Sequence, residues 1–119
     1  MKSRRGDVVI LDYPFSDSSG TKVRPALVVQ TDQRNAILTN TIVALITKNL
    51  QRLNTDRAKF LIDITTPDGR QSGLRLNSAI TCGNLYTVHE RHIVKTIGSL
   101  PAALMRQADA CLKVALDLP

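Results

Sequence analysis

The apolar residues of this chain fall into short runs, each closed off by a polar, turn-rich piece, and no helical stretch separates successive runs until the C-terminal segment. Parallel strands need a crossover of roughly a dozen residues or more, usually a helix, so this spacing predicts a mostly antiparallel sheet curled into a small barrel. Strands are expected at residues 8–11, 26–30, 41–47, 60–64, 74–82 and 94–98, with polar loops at 14–23 and 48–57 and a turn at Thr66-Pro67-Asp68-Gly69. At the end the period changes: Leu104, Ala108, Cys111, Ala115 and Leu118 recur at steps of three and four, with Arg106, Gln107, Asp109 and Lys113 between them. That pattern predicts an amphipathic helix lying as a lid on the barrel. Ser99 is its expected N-cap, and Pro101 falls in the first turn, where a missing N–H costs nothing. Residues 89–92 predict one further short turn of helix. The expected class is mainly β with α.

A chain of 119 residues with 43% hydrophobic content suits one domain, 1–119, with one core. Trp is absent and the aromatics are Tyr13, Phe15, Phe60 and Tyr86, so the core must be aliphatic and stacking platforms are scarce. The formal charge of +6 favours polyanionic partners without naming one. Cys82 and Cys111 are far apart and in no metal-ligand or redox pattern, which predicts buried, reduced core residues. The apolar run 8–11, bounded by Asp7 and Asp12, is far too short for a signal peptide, and no segment approaches membrane-spanning length. A cytoplasmic protein is expected.

One junction is poised for chemistry. Proline biases the preceding residue toward extended geometry, so Arg24-Pro25 holds a guanidinium where a polar loop enters the apolar strand Ala26-Leu27-Val28-Val29. A surface ion pair with Asp12 or Asp17 is the plainer alternative. Ser19 and Lys22 in the first loop, with Lys48, Arg52, Arg57 and Lys59 in and beside the second, are candidate contacts to a phosphate backbone; a solvated charged face is the rival reading. In His89-Glu90-Arg91-His92 the histidines are three apart and no third ligand is evident, so no metal site is expected and a structural or edge role is the better assignment.

Arg5-Gly6-Asp7-Val8-Val9, then Val23-Arg24-Pro25-Ala26-Leu27-Val28-Val29-Gln30, Val43-Ala44-Leu45-Ile46-Thr47 and Ser78-Ala79-Ile80-Thr81-Cys82-Gly83-Asn84-Leu85 together resemble the MazF/PemK family of toxin endoribonucleases, in order and spacing, over nearly the whole chain. The resemblance implies a small SH3-like barrel, a homodimer, and sequence-specific, metal-independent cleavage of single-stranded RNA without a cofactor. It also implies neutralisation by a cognate antitoxin. The family's catalytic arginine falls on Arg24 and its strand-end Thr/Ser on Thr47, and positions matching Ser78 and Asn84 line the RNA groove. Two departures stand out. Some members carry an acid and an arginine where this chain has Gly83 and Thr81, and the glutamate common in the first loop is missing, with Asp17 and Ser18-Ser19 nearby. The arginine/threonine version of the mechanism is therefore the better match.

Those residues make sense chemically. Metal-free RNA cleavage uses the adjacent 2′-OH as internal nucleophile, leaving 2′,3′-cyclic phosphate and 5′-OH ends. The protein must stabilise a phosphorane with extra negative charge, which a guanidinium does with several fixed donors. Arg24 suits a phosphate clamp, since a guanidinium gives up its proton too reluctantly to be a good general acid. Thr47 offers a short hydroxyl to a phosphate oxygen or the 2′-OH. An inhibitor of so basic a surface should be acidic, and a disordered tail that folds on docking suits it. The competing class is a non-catalytic toxin on the same barrel, resembling the CcdB-type poisons of DNA gyrase, which needs no guanidinium and hydroxyl converging in a basic groove.

Overall fold

The computed structural model describes residues 2–14 and 23–119. Six strands form one sheet: β1 (Asp7–Asp12), β2 (Val23–Val28), β3 (Asn40–Thr47), β4 (Lys59–Ile62), β5 (Ser78–His89) and β6 (Ile93–Ser99), in the spatial order β4-β5-β3-β2-β1-β6. Every pairing is antiparallel. The helices are α1 (Asp32–Ile37), α2 (Pro67–Arg70) and α3 (Ala102–Leu116), and a 3-10 turn at Glu90–His92 joins β5 to β6.

The ladder does not close into the expected barrel, because β4 and β6 remain its edges. Residues 71–73, just after α2, pack against the β6 edge instead. The Ser99 N–H donates to Gln71 O at 2.9 Å. Two glycines permit that contact: a Cβ on Gly73 would lie 2.0 Å from Ile97 O, and one on Gly98 would lie 2.3 Å from Gln71 O. At Gly73 φ is also +75°, a conformation that disfavours side chains.

Both faces of the curled sheet are buried. On one, Val8, Leu27, Ala44, Ile46, Ile62, Ile80 and Cys82 pack with Leu104, Ala108 and Cys111 of α3. On the other, Val9, Leu11, Ala26, Val28, Val43, Leu45 and Val88 form a second cluster. The alternation of these positions along each strand is the two-residue period of a sheet with two buried sides. The Arg5-Gly6-Asp7 motif is an anchor for this packing. The Arg5 guanidinium donates to Val29 O at 2.8 Å and to the Asp109 carboxylate at 2.6 Å, tying α3 to the end of β2. Gly6 makes the turn with φ +97°, and the Asp7 carboxylate accepts the Arg4 N–H at 2.9 Å.

Local details depart from the expectations in instructive ways. Ser99 ends β6 rather than capping α3, and Pro101 takes the N-cap position. The turn at Thr66-Pro67-Asp68-Gly69 tightens into α2, with the Thr66 hydroxyl accepting the Gly69 N–H at 3.0 Å. β5 begins at Ser78, not Leu74, and runs on to His89. α1 was not expected: its only apolar residues are Ala36 and Ile37, and it is held through buried Asn35, which accepts from Gln30 Nε2 at 2.9 Å and Thr41 Oγ1 at 2.7 Å. The 3-10 turn matches the short helix expected at 89–92, and the His89 ring caps it by accepting the Arg91 N–H at 2.9 Å.

Candidate active-site groove

A proline opens the site. The Val29 N–H donates to Ile42 O at 2.9 Å, so by strand alternation the amide edge of residue 25 also faces β3. Pro25 has no N–H to give, and the β2–β3 ladder stops at Ala26↔Leu45. Continuing that register by two residues sets Arg24 opposite Thr47 on the same face. Beyond the last rung the strands part into a groove of about 730 Å³, lined by Arg24, Thr47, Lys48, Asn49, Lys59, Arg75, Ser78, Thr81 and Asn84 with apolar Val23, Pro25, Leu45, Ile46, Leu74 and Leu76.

Each polar group in the groove has a definite position. Arg24 is half-buried on β2, paired across to Leu11 of β1. Thr47 is half-buried, and its hydroxyl oxygen accepts the Asn49 N–H at 3.1 Å. A hydroxyl that already accepts is fixed in orientation and keeps its own proton for a second partner. Lys59 of β4 donates to Gln51 O at 3.2 Å. Asn84 is exposed because β5 bulges: the pairing jumps from Leu45↔Thr81 to Ala44↔Leu85, throwing residues 82–84 out of register. Ser78 is only 4% exposed, and its hydroxyl donates to Leu76 O at 2.9 Å, which fixes the groove wall. Thr81 likewise donates to Leu45 O at 2.9 Å.

The structure thus brings together Arg24, Thr47, Lys48, Lys59, Ser78 and Asn84. Arg52 is not among the lining residues; it is exposed at φ +66° in the turn before β4, where its carbonyl accepts the Asp56 N–H at 2.8 Å. Ser19 and Lys22 lie outside the described residues. Sequence reasoning missed Arg75, which falls inside the strand expected at 74–82 rather than in either of the basic loops. Gly83, where some family members carry an acid, has nothing within 4 Å of a Cβ built on it. The described lining holds four cationic side chains and no carboxylate, imidazole or thiol. Among the described residues, no group of three or more His, Cys, Asp or Glu is placed to hold a metal ion.

The other candidates sit elsewhere. The His92 ring packs edge-on to Tyr13, centroids 5.1 Å apart, with Nδ1 3.0 Å from Asp12 O, a structural setting. Cys82 and Cys111 are free and buried. Burial, helped by the neighbouring Cys111 thiol, pushes the Cys82 thiol from 9.0 up to about 12, and burial raises Cys111 as well. Neither is a ready thiolate. Among the described residues, no helix is long and apolar enough to cross a membrane.

Comparison with known proteins agrees with this fold. Residues 4–116 match the family described as PemK-like, MazF-like toxin of type II toxin-antitoxin system. Endoribonuclease MazF6 of Mycobacterium tuberculosis is 33% identical over 106 residues, covering 88% of each chain. Endoribonuclease EndoA of Bacillus subtilis is 30% identical over 116 residues, covering 97% of this chain and 95% of its own. In fold, the chain is similar to a mycobacterial endoribonuclease solved in complex with its cognate antitoxin, with a TM-score of 0.80 at 20% identity over 98% of this chain and 97% of that one. With the open six-stranded sheet, the helical lid and the Arg24–Thr47 groove in place, the match over nearly all of its length shows that this chain belongs to the PemK-like, MazF-like toxins of type II toxin–antitoxin systems.

Proposed function

We propose that this toxin is an endoribonuclease that cuts single-stranded RNA by internal transesterification in the groove between β2 and β3. The observation that carries the reading is that Arg24 and Thr47 line one groove beyond the last β2–β3 rung, and that its described charged residues are all cationic. Arg24 holds the scissile phosphate and stabilises the extra charge of the phosphorane with its planar fork. Thr47, its oxygen anchored by the Asn49 N–H, offers its proton to a phosphate oxygen or the 2′-OH. Lys48 and Lys59 attract and seat the backbone on either side of the reacting phosphate. Asn84, on the bulge, presents an amide to a base edge, and Ser78 keeps the wall in shape through Leu76 O. Attack by the 2′-OH forms the O2′–P bond and breaks the P–O5′ bond, the 2′ proton passing to water and the 5′ oxygen taking one back from water, so the products end in a 2′,3′-cyclic phosphate and a 5′-OH.

The same reading places the protein in the cytoplasm as a homodimer. Two copies carry twice the +6 formal charge, so the cognate antitoxin is expected to reach the grooves with an acidic, amphipathic tail whose carboxylates occupy phosphate positions. Inhibition is then direct exclusion of RNA, and association slows as salt rises. The deciding experiment is Arg24→Ala beside Arg24→Lys on a long single-stranded RNA. Both variants should fold, and both should lose most activity, because an ammonium does not reproduce the bidentate fork. A near-wild-type rate for Arg24→Ala would remove the site from this groove.

A further inference from the structure

We infer that Arg75 is a substrate-binding residue that holds an RNA phosphate next to the scissile one; the inference rests on the ribonuclease reading above. Thr47 stands on β3, with β2 and Arg24 on one flank and β5 on the other. Arg75 belongs to the segment that leads into β5, and it lines the same groove. An RNA strand seated over Thr47 with one phosphate at Arg24 therefore lies in the same groove as Arg75.

The segment is built to hold a side chain still. At its start Ser72 is fully buried, its hydroxyl donating to Gly69 O at 2.6 Å and accepting the Leu74 N–H at 3.2 Å. Gly73 lies against the backbone of Ile97, too close for any Cβ. At its end Asn77 Oδ1 accepts the Ile64 N–H at 2.9 Å, and Ser78 Oγ donates to Leu76 O at 2.9 Å. Arg75 and Leu76 are the exposed residues between these two anchorages, and Leu76 keeps 57% of its surface open. A rigid backbone that displays a cation and a bare leucine side by side matches a nucleotide, which offers a phosphate and an apolar base face in the same juxtaposition.

The test uses a short RNA spanning a mapped cut, 2′-O-methylated at the attacking position so that it binds without reacting. Each phosphate in turn is replaced by a neutral methylphosphonate, and binding is measured for wild type, Arg75→Gln and Arg75→Lys. In the wild type, neutralising one phosphate beside the scissile one should weaken binding about tenfold, as expected for a hydrogen bond to a charged group. Arg75→Gln should bind the unmodified RNA about tenfold less tightly and lose nothing more at that phosphate, with its salt slope shallower by about 0.7. Arg75→Lys should recover part of the affinity. On cleavable RNA, Arg75→Gln should raise KM and leave kcat unchanged, with the same unfolding temperature. Equal sensitivity of wild type and Arg75→Gln at every phosphate overturns the proposal while leaving the nuclease reading intact. So does a variant that loses affinity for poly-L-glutamate but not for RNA. A wild-type protein that neither binds nor cuts RNA overturns both.

Discussion

Thr47→Val separates chemistry from folding more cleanly than any other change in the groove. Valine has the shape of threonine and suits a strand at least as well, so the half-buried site is refilled without a cavity. What is lost is one hydroxyl, and with it the bond from the Asn49 N–H at 3.1 Å. Asn49 is exposed, so water can take that N–H, and the stability change should stay within about 1 kcal/mol. Against the ~5–15 kcal/mol that holds a domain together, the folded fraction does not move. Loss of a well-placed donor to a reacting phosphate costs far more in rate, ~10²–10³-fold or about 2.7–4 kcal/mol of barrier. The assay is the initial rate on single-stranded RNA beside a thermal unfolding curve, with Thr47→Ser, which keeps the hydroxyl, as the restoring control. Thr47→Val should unfold like wild type, cut at least a hundredfold more slowly, and be outpaced by Thr47→Ser. A valine variant that cuts at the wild-type rate refutes the role; so does a rate loss explained by an equal loss of folded protein.

Three further outcomes follow from the fold. Gly98→Ala should destabilise the protein by about 3 kcal/mol in denaturant titration, since its methyl would lie 2.3 Å from Gln71 O and push residues 71–73 off β6. Asp117→Gly should stabilise it by about 1 kcal/mol: Asp117 ends α3 in the left-handed conformation at φ 54°, where glycine escapes most of the strain and also removes a negative charge from the helix C-terminus. The Cys82 thiol ionises at about 12 when folded against 9.0 ordinarily, so the native state binds more protons in between. Stability is therefore full below pH 9 and falls as pH rises toward 12, and Cys82→Ala should flatten that fall in unfolding temperatures measured across the range.

Long-period patterns were legible in the sequence and short-range exceptions were not. The six strands and α3 stand out because each carries enough alternating or three-and-four-spaced apolar residues to show which side is buried, as Leu104, Ala108 and Cys111 do on α3. α1 escaped because its reason for existing is a polar contact, buried Asn35 beneath Gln30 and Thr41, which leaves no apolar period. The open ladder escaped too, because the crossing at Gly73 and Gly98 is a contact between distant segments that no local pattern announces. In the groove, Arg24 was readable from the Arg-Pro junction, Thr47, Ser78 and Asn84 came only with the family resemblance, and Lys48 and Lys59 gather beside them. Arg75 was hidden in an expected strand, and Arg52, grouped with Lys48 as a candidate contact, is exposed and outside the groove lining.

Arg24 and Thr47 are held to stabilise the phosphorane that forms when the RNA's own 2′-OH attacks. The most direct measurement is digestion of a long single-stranded RNA in excess EDTA, followed by identification of both new ends. Cleavage should continue undiminished at recurring short sequences, with 2′,3′-cyclic phosphate on one end, 5′-OH on the other, and no cut where the nucleotide before the scissile phosphate is 2′-deoxy. Cleavage that stops with chelation and returns with added metal, or that leaves a 5′-phosphate, would contradict that mechanism.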